Sequence, residues 1–298
     1  PLDMARFDYL FENHPSKDGE ALKRRVLEVL AFYQNEDGGF GHGLEPDCQS
    51  PYSSPMQTWV ATELLYELLE VSKRELDADL PLIQGILHYL DSGEHFNGKC
   101  WLNTVPHNND YPRAPWWTYE ARNDEVLNYN PTAALAGFGL LYSRRGSSLY
   151  EKCYQLVEAA IKCLLETDTC DEMHTLACFV RLNDYLEWAG LRDVLGSEAL
   201  QTVLMKKVEQ AITKDVASWA TGYVCKPSGF FSTPTSFLYE PLKHWVKEEV
   251  DFILEHQEEV GTWPILWGWE TDPEAWTLAK DDWKGHVMIN NLKFLLAM

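Results

Sequence analysis

Apolar residues recur along this chain with the period of a helix. In 21–33, Leu22, Val26, Val29 and Tyr33 follow one another at spacings of four, three and four, which lines them along one helical face. In 56–69, Val60, Leu64 and Leu68 form a stripe with Ala61, Leu65 and Leu69 beside it. The same period predicts helices over 79–90, 131–143, 148–166, 171–189, 197–214, 241–257, 273–280 and 283–297. No segment carries the period of two that marks a half-buried strand, so the expected fold class is all-α.

The predicted helix starts are written alike. Ser54-Pro55, Asn130-Pro131 and Asp272-Pro273 each set a capping side chain before a proline, whose missing N–H costs nothing at the first helical position. Ser54 with Gln57 reads as a capping box. Two helix ends also match. Gln34-Asn-Glu-Asp-Gly38-Gly39-Phe40 and Gln257-Glu-Glu-Val-Gly261-Thr-Trp263 both run glutamine, glycine four residues on, then an aromatic ring at six. Glycine permits the left-handed turn that stops a helix, and the glutamine amide can stack on the ring and bond the start of the next helix. Weaker relatives lie near 90–101, 166–171 and 212–219. The recurrence predicts about five or six helical hairpins. Both ends of the chain are apolar (Phe7, Tyr9, Leu10, Phe11; Leu292, Phe294, Leu295, Leu296), whereas an open solenoid needs polar terminal caps. The hairpins are therefore expected to close into an α/α toroid, with 1–298 as one domain.

Composition adds to this picture in three ways. Hydrophobic residues make up 45% and charged residues 24%, enough for a sizeable core, while no apolar run approaches the roughly 18–20 residues of a membrane span. The first residues lack the basic and apolar regions of a signal peptide. The seven cysteines are odd in number and several sit in apolar helical stretches, as reduced core thiols do, which predicts a cytoplasmic protein. A formal charge of −21 repels phosphate backbones, so nucleic acid is not an expected partner. Finally, 12 Trp, 14 Tyr and 12 Phe either brace a large scaffold or line a cavity for a small-molecule ligand.

Residues 34–41 (QNEDGGFG) and 257–263 (QEEVGTW) resemble the Gln–Trp repeats of terpenoid cyclases and protein prenyltransferase β-subunits. That resemblance implies an α/α toroid with inner helices around a cavity and outer helices outside. It does not carry over the catalytic motifs. The Asp-x-Asp-Asp of triterpene cyclases is absent. Asp281-Asp282 is followed by Trp283-Lys284-Gly285, without the third acid of a diphosphate-binding Asp-Asp-x-x-Asp. Asp47 and Cys48 are adjacent, which breaks the Asp-x-Cys zinc spacing of the prenyltransferases.

Four segments carry candidate chemistry. The Gly/Pro-rich loop 41–54 holds His42, Glu45 and Asp47; two carboxylates there can work as acid and base or bind a cation, or can simply cap a tight turn while His42 packs over the junction. The irregular segment 103–131 sets Trp116, Trp117 and Tyr119 beside Glu120, Arg122 and Asp124; rings next to carboxylates suit a carbocation or a sugar, and the same residues also suit a packed loop with a surface ion pair. Cys170, His174 and Cys178 share one helical face near Glu172, but a single helix spreads three ligands too far for one zinc, so core thiols with an inward His174 fit better. Trp263 and Trp267 lead a Trp-rich run that lines a cavity wall or braces the last hairpin. Glu45, Asp47, Glu120 and Asp124 are thus the catalytic candidates. His42, Trp116, Trp117, Tyr119, Arg122, His174, Trp263 and Trp267 are the substrate-binding ones. Gly-x-Gly-x-x-Gly, Walker, Gly-x-Ser-x-Gly and His-Glu-x-x-His motifs are absent, so no cofactor or metal is specified. Few basic residues stand near the expected rim to grip a diphosphate, chiefly Arg113 and Arg122.

Three functions fit these residues: a terpenoid-cyclase-like or prenyltransferase-like toroid acting on a hydrophobic small molecule, a carbohydrate-active helical ring with two carboxylates across its cavity, and a binding toroid without catalysis. Oligomeric state is left open.

Overall fold

The computed structural model describes residues 1–12, 18–71, 76–193 and 197–298. Among them are α1 (Leu2–Phe11), α2 (Gly19–Leu30), α3 (Pro55–Val71), α4 (Pro81–Ser92), α5 (Thr132–Tyr142), α6 (Ser148–Glu166), α7 (Met173–Trp188), α8 (Ser197–Ala211), α9 (Tyr239–Glu255) and α10 (Pro273–Ala297). Short 3₁₀ turns fill the connections, three of them in 103–131. Pairing of extended backbone among the described residues is limited to isolated bridges. The fold is all-α, and no described helix is long and apolar enough to cross a membrane.

Local signals set most helix starts. Asp18, Ser147, Glu172 and Asp272 cap α2, α6, α7 and α10 by accepting N–H groups of the first turn. Ser54 Oγ accepts the Gln57 N–H at 3.2 Å to start α3. Gln57 does not return the favour as a capping box would. Its Oε1 accepts Leu44 N–H at 2.9 Å and its Nε2 donates to Ser50 O at 3.2 Å, so it clamps the loop 44–50 instead. Asn130 departs from expectation too: α5 starts at Thr132 without a side-chain cap, and Asn130 accepts from Cys178 Sγ. The stretches 273–280 and 283–297 form one continuous helix, and Gly285 within it packs close to α1, where a Cβ would lie 2.5 Å from Asp3 Oδ2.

The two glutamine corners are built alike. Asn35 N–H bonds Gly39 O (2.9 Å) and Gly38 N–H bonds Asn35 O (2.9 Å); Glu258 N–H bonds Thr262 O (2.8 Å) and Gly261 N–H bonds Glu258 O (2.8 Å). Gln34 Nε2 donates to Gly38 O (2.9 Å) and Gln257 Nε2 to Gly261 O (3.2 Å). Both turn glycines are left-handed, at φ 86° and 85°, where a Cβ is costly. Gln34 also reaches Leu82 O at 3.0 Å, at the first turn of α4.

Buried residues from α1 through α10 form a hydrophobic cluster. At its centre α5 is buried from Thr132 to Leu140. Gly139 allows this approach, since a Cβ there would stand 2.4 Å from Cys153 Sγ of α6. The first and last helices pack together and share an ion cluster with α3. Arg6 meets Glu67 through Nε (3.0 Å) and Nη2 (3.1 Å) and Asp3 through Nη1 (2.8 Å), while Lys293 reaches Glu67 (3.4 Å) and Glu70 (3.3 Å). Burial would raise the Glu67 carboxyl, but Arg6 and Lys293 outweigh it and hold it below its ordinary value. Arg6→Met strands this buried carboxylate, so we expect a loss of about 3 kcal/mol in urea unfolding; an unchanged midpoint would show that Lys293 alone satisfies Glu67.

Candidate functional site

A cavity of about 1600 Å³ opens between α1, α3, α7 and α10 and the loops that join them. Its richest cluster of chemistry lies where the loop 44–50 meets the tryptophan run after the second glutamine corner. That loop is held on three sides. Gln57 of α3 clamps its ends, Asp47 O accepts Ala114 N–H at 2.8 Å, and Gln49 Nε2 donates to Ala275 O at 3.1 Å. Glu45 and Asp47 are therefore fixed in place, although they stand on irregular backbone.

Both carboxyls are buried, at 8% and 3% exposure, and both line the cavity. Asp47 takes three indole N–H groups: Trp269 Nε1 (2.8 Å) and Trp283 Nε1 (3.0 Å) on Oδ1, and Trp267 Nε1 (3.3 Å) on Oδ2. Burial pushes this carboxyl up from its ordinary 3.8, and the three indole bonds pull it back. Glu45 is served less well. Its Oε1 accepts Trp117 Nε1 at 3.3 Å and Asp47 N–H at 3.4 Å, and its Oε2 has no hydrogen bond among the described residues. Burial, with the nearby Asp47 charge second, pushes Glu45 up to about 8. At neutral pH it is the protonated form that prevails. Both N–H donors point at Oε1, so the proton belongs on Oε2.

A second group faces the same space. His174, on the first turn of α7, sits between Glu172 and Tyr223: its Nδ1 pairs with Glu172 Oε1 and its Nε2 lies 3.1 Å from Tyr223 Oη. Burial would raise Glu172, but the His174 bonds, with Thr175 N–H, bring it down to about 2. Burial first, then the charges of Glu45, Glu172 and Asp47, push Tyr223 up to about 12. The Tyr223 ring meets Trp267 edge-on at 5.1 Å, and Trp267 meets Trp283 at 5.0 Å, which joins the two groups through one aromatic wall.

Of the residues singled out in the sequence, Glu45, Asp47, Trp116, Trp117, His174, Trp263 and Trp267 line the cavity. Trp263 is also a brace, its Nε1 donating to Ile253 O at 2.8 Å. Tyr119, Glu120, Arg122 and Asp124 are not among the lining residues. Tyr119 Oη donates to Asp124 at 2.8 Å and Arg122 pairs with Glu120 on an exposed loop. His42 is exposed and bonds Asn35 Oδ1 at 2.9 Å, on the outer side of the first corner. The reason is geometric: in 103–131 the chain changes direction at each 3₁₀ turn, so neighbours in sequence face different ways. The cysteine–histidine stripe also divides, with Cys170 Sγ at 3.5 Å from Cys163 Sγ and Cys178 bonded to Asn130. Among the described residues no group of three potential ligands could hold a metal. Tyr223 was not singled out in the sequence, where only the general excess of rings pointed toward it; Trp269 and Trp283 belong to the tryptophan run read there as a cavity wall or a brace.

No family model, curated protein or solved structure matches this chain.

The state of Glu45 has a thermodynamic signature. Its folded value near 8 lies above its ordinary 4.5, so between these values the native protein binds more protons than the unfolded chain. Stability from this group is present below that window and falls as pH rises through it, by up to about 1.4 kcal/mol per pH unit. Glu45→Gln removes the group. Melting curves of the variant between pH 5 and 8 should flatten relative to wild type, and parallel curves would mean that Glu45 is ionised throughout.

Proposed function

We propose that this chain is a single-domain α/α toroid of the terpenoid cyclase and protein prenyltransferase type, and that it performs proton-initiated chemistry on a neutral, largely hydrophobic small molecule in its cavity. The observation that carries the reading is Glu45: a buried carboxylic acid, protonated at neutral pH, with an unpartnered oxygen on a cavity wall made of indoles. Proton donation from Oε2 puts positive charge on the bound molecule. The indole-held Asp47 and the faces of the surrounding rings then stabilise that charge in a site shielded from water. Glu45 is the acid in this reading and Asp47 the fixed anion.

Closure of the helices into a ring is supported by their neighbours: α3 packs on α5, α5 on α7, α7 on α8, α8 on α9, α9 on α10 and α10 on α1, and the Arg6–Glu67 pair links α1 back to α3. A neutral substrate rather than a diphosphate is supported by three of the five Lys and Arg side chains that line the cavity, Arg192 and Lys226 being the other two. Arg6 and Lys293 are engaged by Glu67, and Arg181 pairs with Glu63 (2.7 Å) and Asp184 (3.2 Å). The seven free thiols support a cytoplasmic location.

A carbohydrate substrate is the second reading. It is favoured by the polar far wall, where Arg181 lies over the Tyr66 ring at 3.0 Å and Trp188 stacks on Tyr66 at 4.8 Å, a surface that suits a polyol as well as a hydrocarbon.

Incubation with geraniol, farnesol and squalene in deuterated buffer separates these readings. Acid-initiated turnover installs a solvent deuterium in cyclised or isomerised product, seen by mass spectrometry. Glu45→Gln should lower the rate at least about 100-fold, and Asp47→Asn comparably. Equal rates in all three proteins would remove Glu45 from the mechanism. Turnover of aryl glycosides but not of the isoprenoids would favour the sugar reading, and tight isoprenoid binding without products a binding toroid.

A further inference from the structure

The cavity holds a proton acceptor as well as a proton donor. Glu172 caps α7, where its Oε2 accepts the N–H groups of His174 and Thr175, each at 3.0 Å. An anion on a helix N-terminus is electrostatically favoured, and this one is held low by its bonds, so it has no proton to offer. The hydrogen between Glu172 Oε1 and the imidazole then sits on His174 Nδ1, and in the neutral imidazole Nε2 is the acceptor. The group facing Nε2 is the Tyr223 hydroxyl, at 3.1 Å. The two ring planes lie 14° apart, with centroids 5.7 Å apart. Tyr223 is held from behind as well: Thr213 N–H bonds Cys225 O at 2.9 Å and Trp219 Nε1 bonds Thr213 O at 2.8 Å, which secures the segment that carries it. The open face of Tyr223, 55% of its surface, lines the cavity wall shared with Trp267, whose indole bonds Asp47.

We propose that Tyr223 is a second catalytic residue of this cavity: it takes a proton from the bound molecule while its own hydroxyl proton passes to His174 Nε2, with Glu172 orienting and neutralising the resulting imidazolium. The balance is complete. A C–H bond of the protonated substrate breaks, its electron pair remains on the substrate as a new double bond, and the proton replaces the one that Tyr223 hands on. A phenol is not ionised at neutral pH, so its hydroxyl proton has to leave as the substrate proton arrives, which is why the hand-off to His174 is needed. The inference rests on the reading of the cavity as a proton-transfer site and names its second half, which confines the chemistry to isomerisation or ring closure that ends in an alkene. Glu172 and His174 are positioning and relay residues, and Tyr223 is the one that meets the substrate.

The test needs no substrate. Benzenesulfonyl fluoride reacts with a phenol when its oxygen attacks sulfur, fluoride leaves, and a base takes the phenol proton. Tyr52 is a matched control: it is 56% exposed, and its hydroxyl neighbours another phenol, that of Tyr111, rather than a base. Peptide mass spectrometry should find Tyr223 labelled at least about 10-fold faster than Tyr52. His174→Gly should remove that advantage and added imidazole should restore it, which separates loss of the base from loss of the fold. The labelling is read without substrate and the acid role of Glu45 by isoprenoid turnover, so failure here and failure of that role are told apart. Equal labelling of Tyr223 and Tyr52 in the wild type, or unchanged labelling in His174→Gly, would overturn the proposal.

Discussion

A carboxylate withdrawn from water must be met by donors, and Asp47 is met by three indole N–H groups from residues more than two hundred positions away. Much of the rest depends on this arrangement. The loop that carries Asp47 follows the first glutamine corner, and all three of its indoles follow the second, so the bonds join the early and late parts of the chain at one point. They also decide the neighbouring chemistry. With the indole donors directed at Asp47, Glu45 keeps only a long bond from Trp117 and a weak one from backbone, and burial first, then the negative charge beside it, favours its protonated form. Burial raises both carboxyls, and the three indole bonds offset it at Asp47 far more than the weaker donors do at Glu45.

The helical frame serves that site through its corners and its ends. In each corner a left-handed glycine stops the chain and a glutamine amide closes the turn, and an aromatic ring is buried at the seam. The corners leave long connections free to reach inward, and those connections, not the helices, supply Glu45, Asp47, Trp117, Trp267 and Tyr223 to the cavity. Irregular backbone can position side chains rigidly only when its polar groups are paired. Here Gln57 performs that task for the acidic loop, exchanging a local helix-capping role for a tertiary one. The Arg6–Glu67–Lys293 cluster does the equivalent for the helices, tying α1, α3 and α10 at the cavity wall. Its charges are spent largely on one another.

The sequence by itself determined what depends on neighbours within a turn or two: the helical period, the caps of α3 and α10, the two glutamine corners, and the loop 41–54 as a place where acids gather. Even at this range, competition from distant partners changed the outcome at Gln57 and Asn130, and Gly285 lies inside a continuous α10, packed close to α1. The tertiary structure alone decided which side chains share the cavity. Trp117 turns inward to Glu45 while Glu120, Arg122 and Asp124, a few residues on, pair with partners on an outer loop, because irregular backbone has no period from which facing can be read. His174 and Tyr223 meet across 49 positions, and Asp47 and Trp283 across 236. Contacts of that range are set by how whole helices pack, and hydrophobic burial, which drives that packing, is not directional enough to be read from the order of residues.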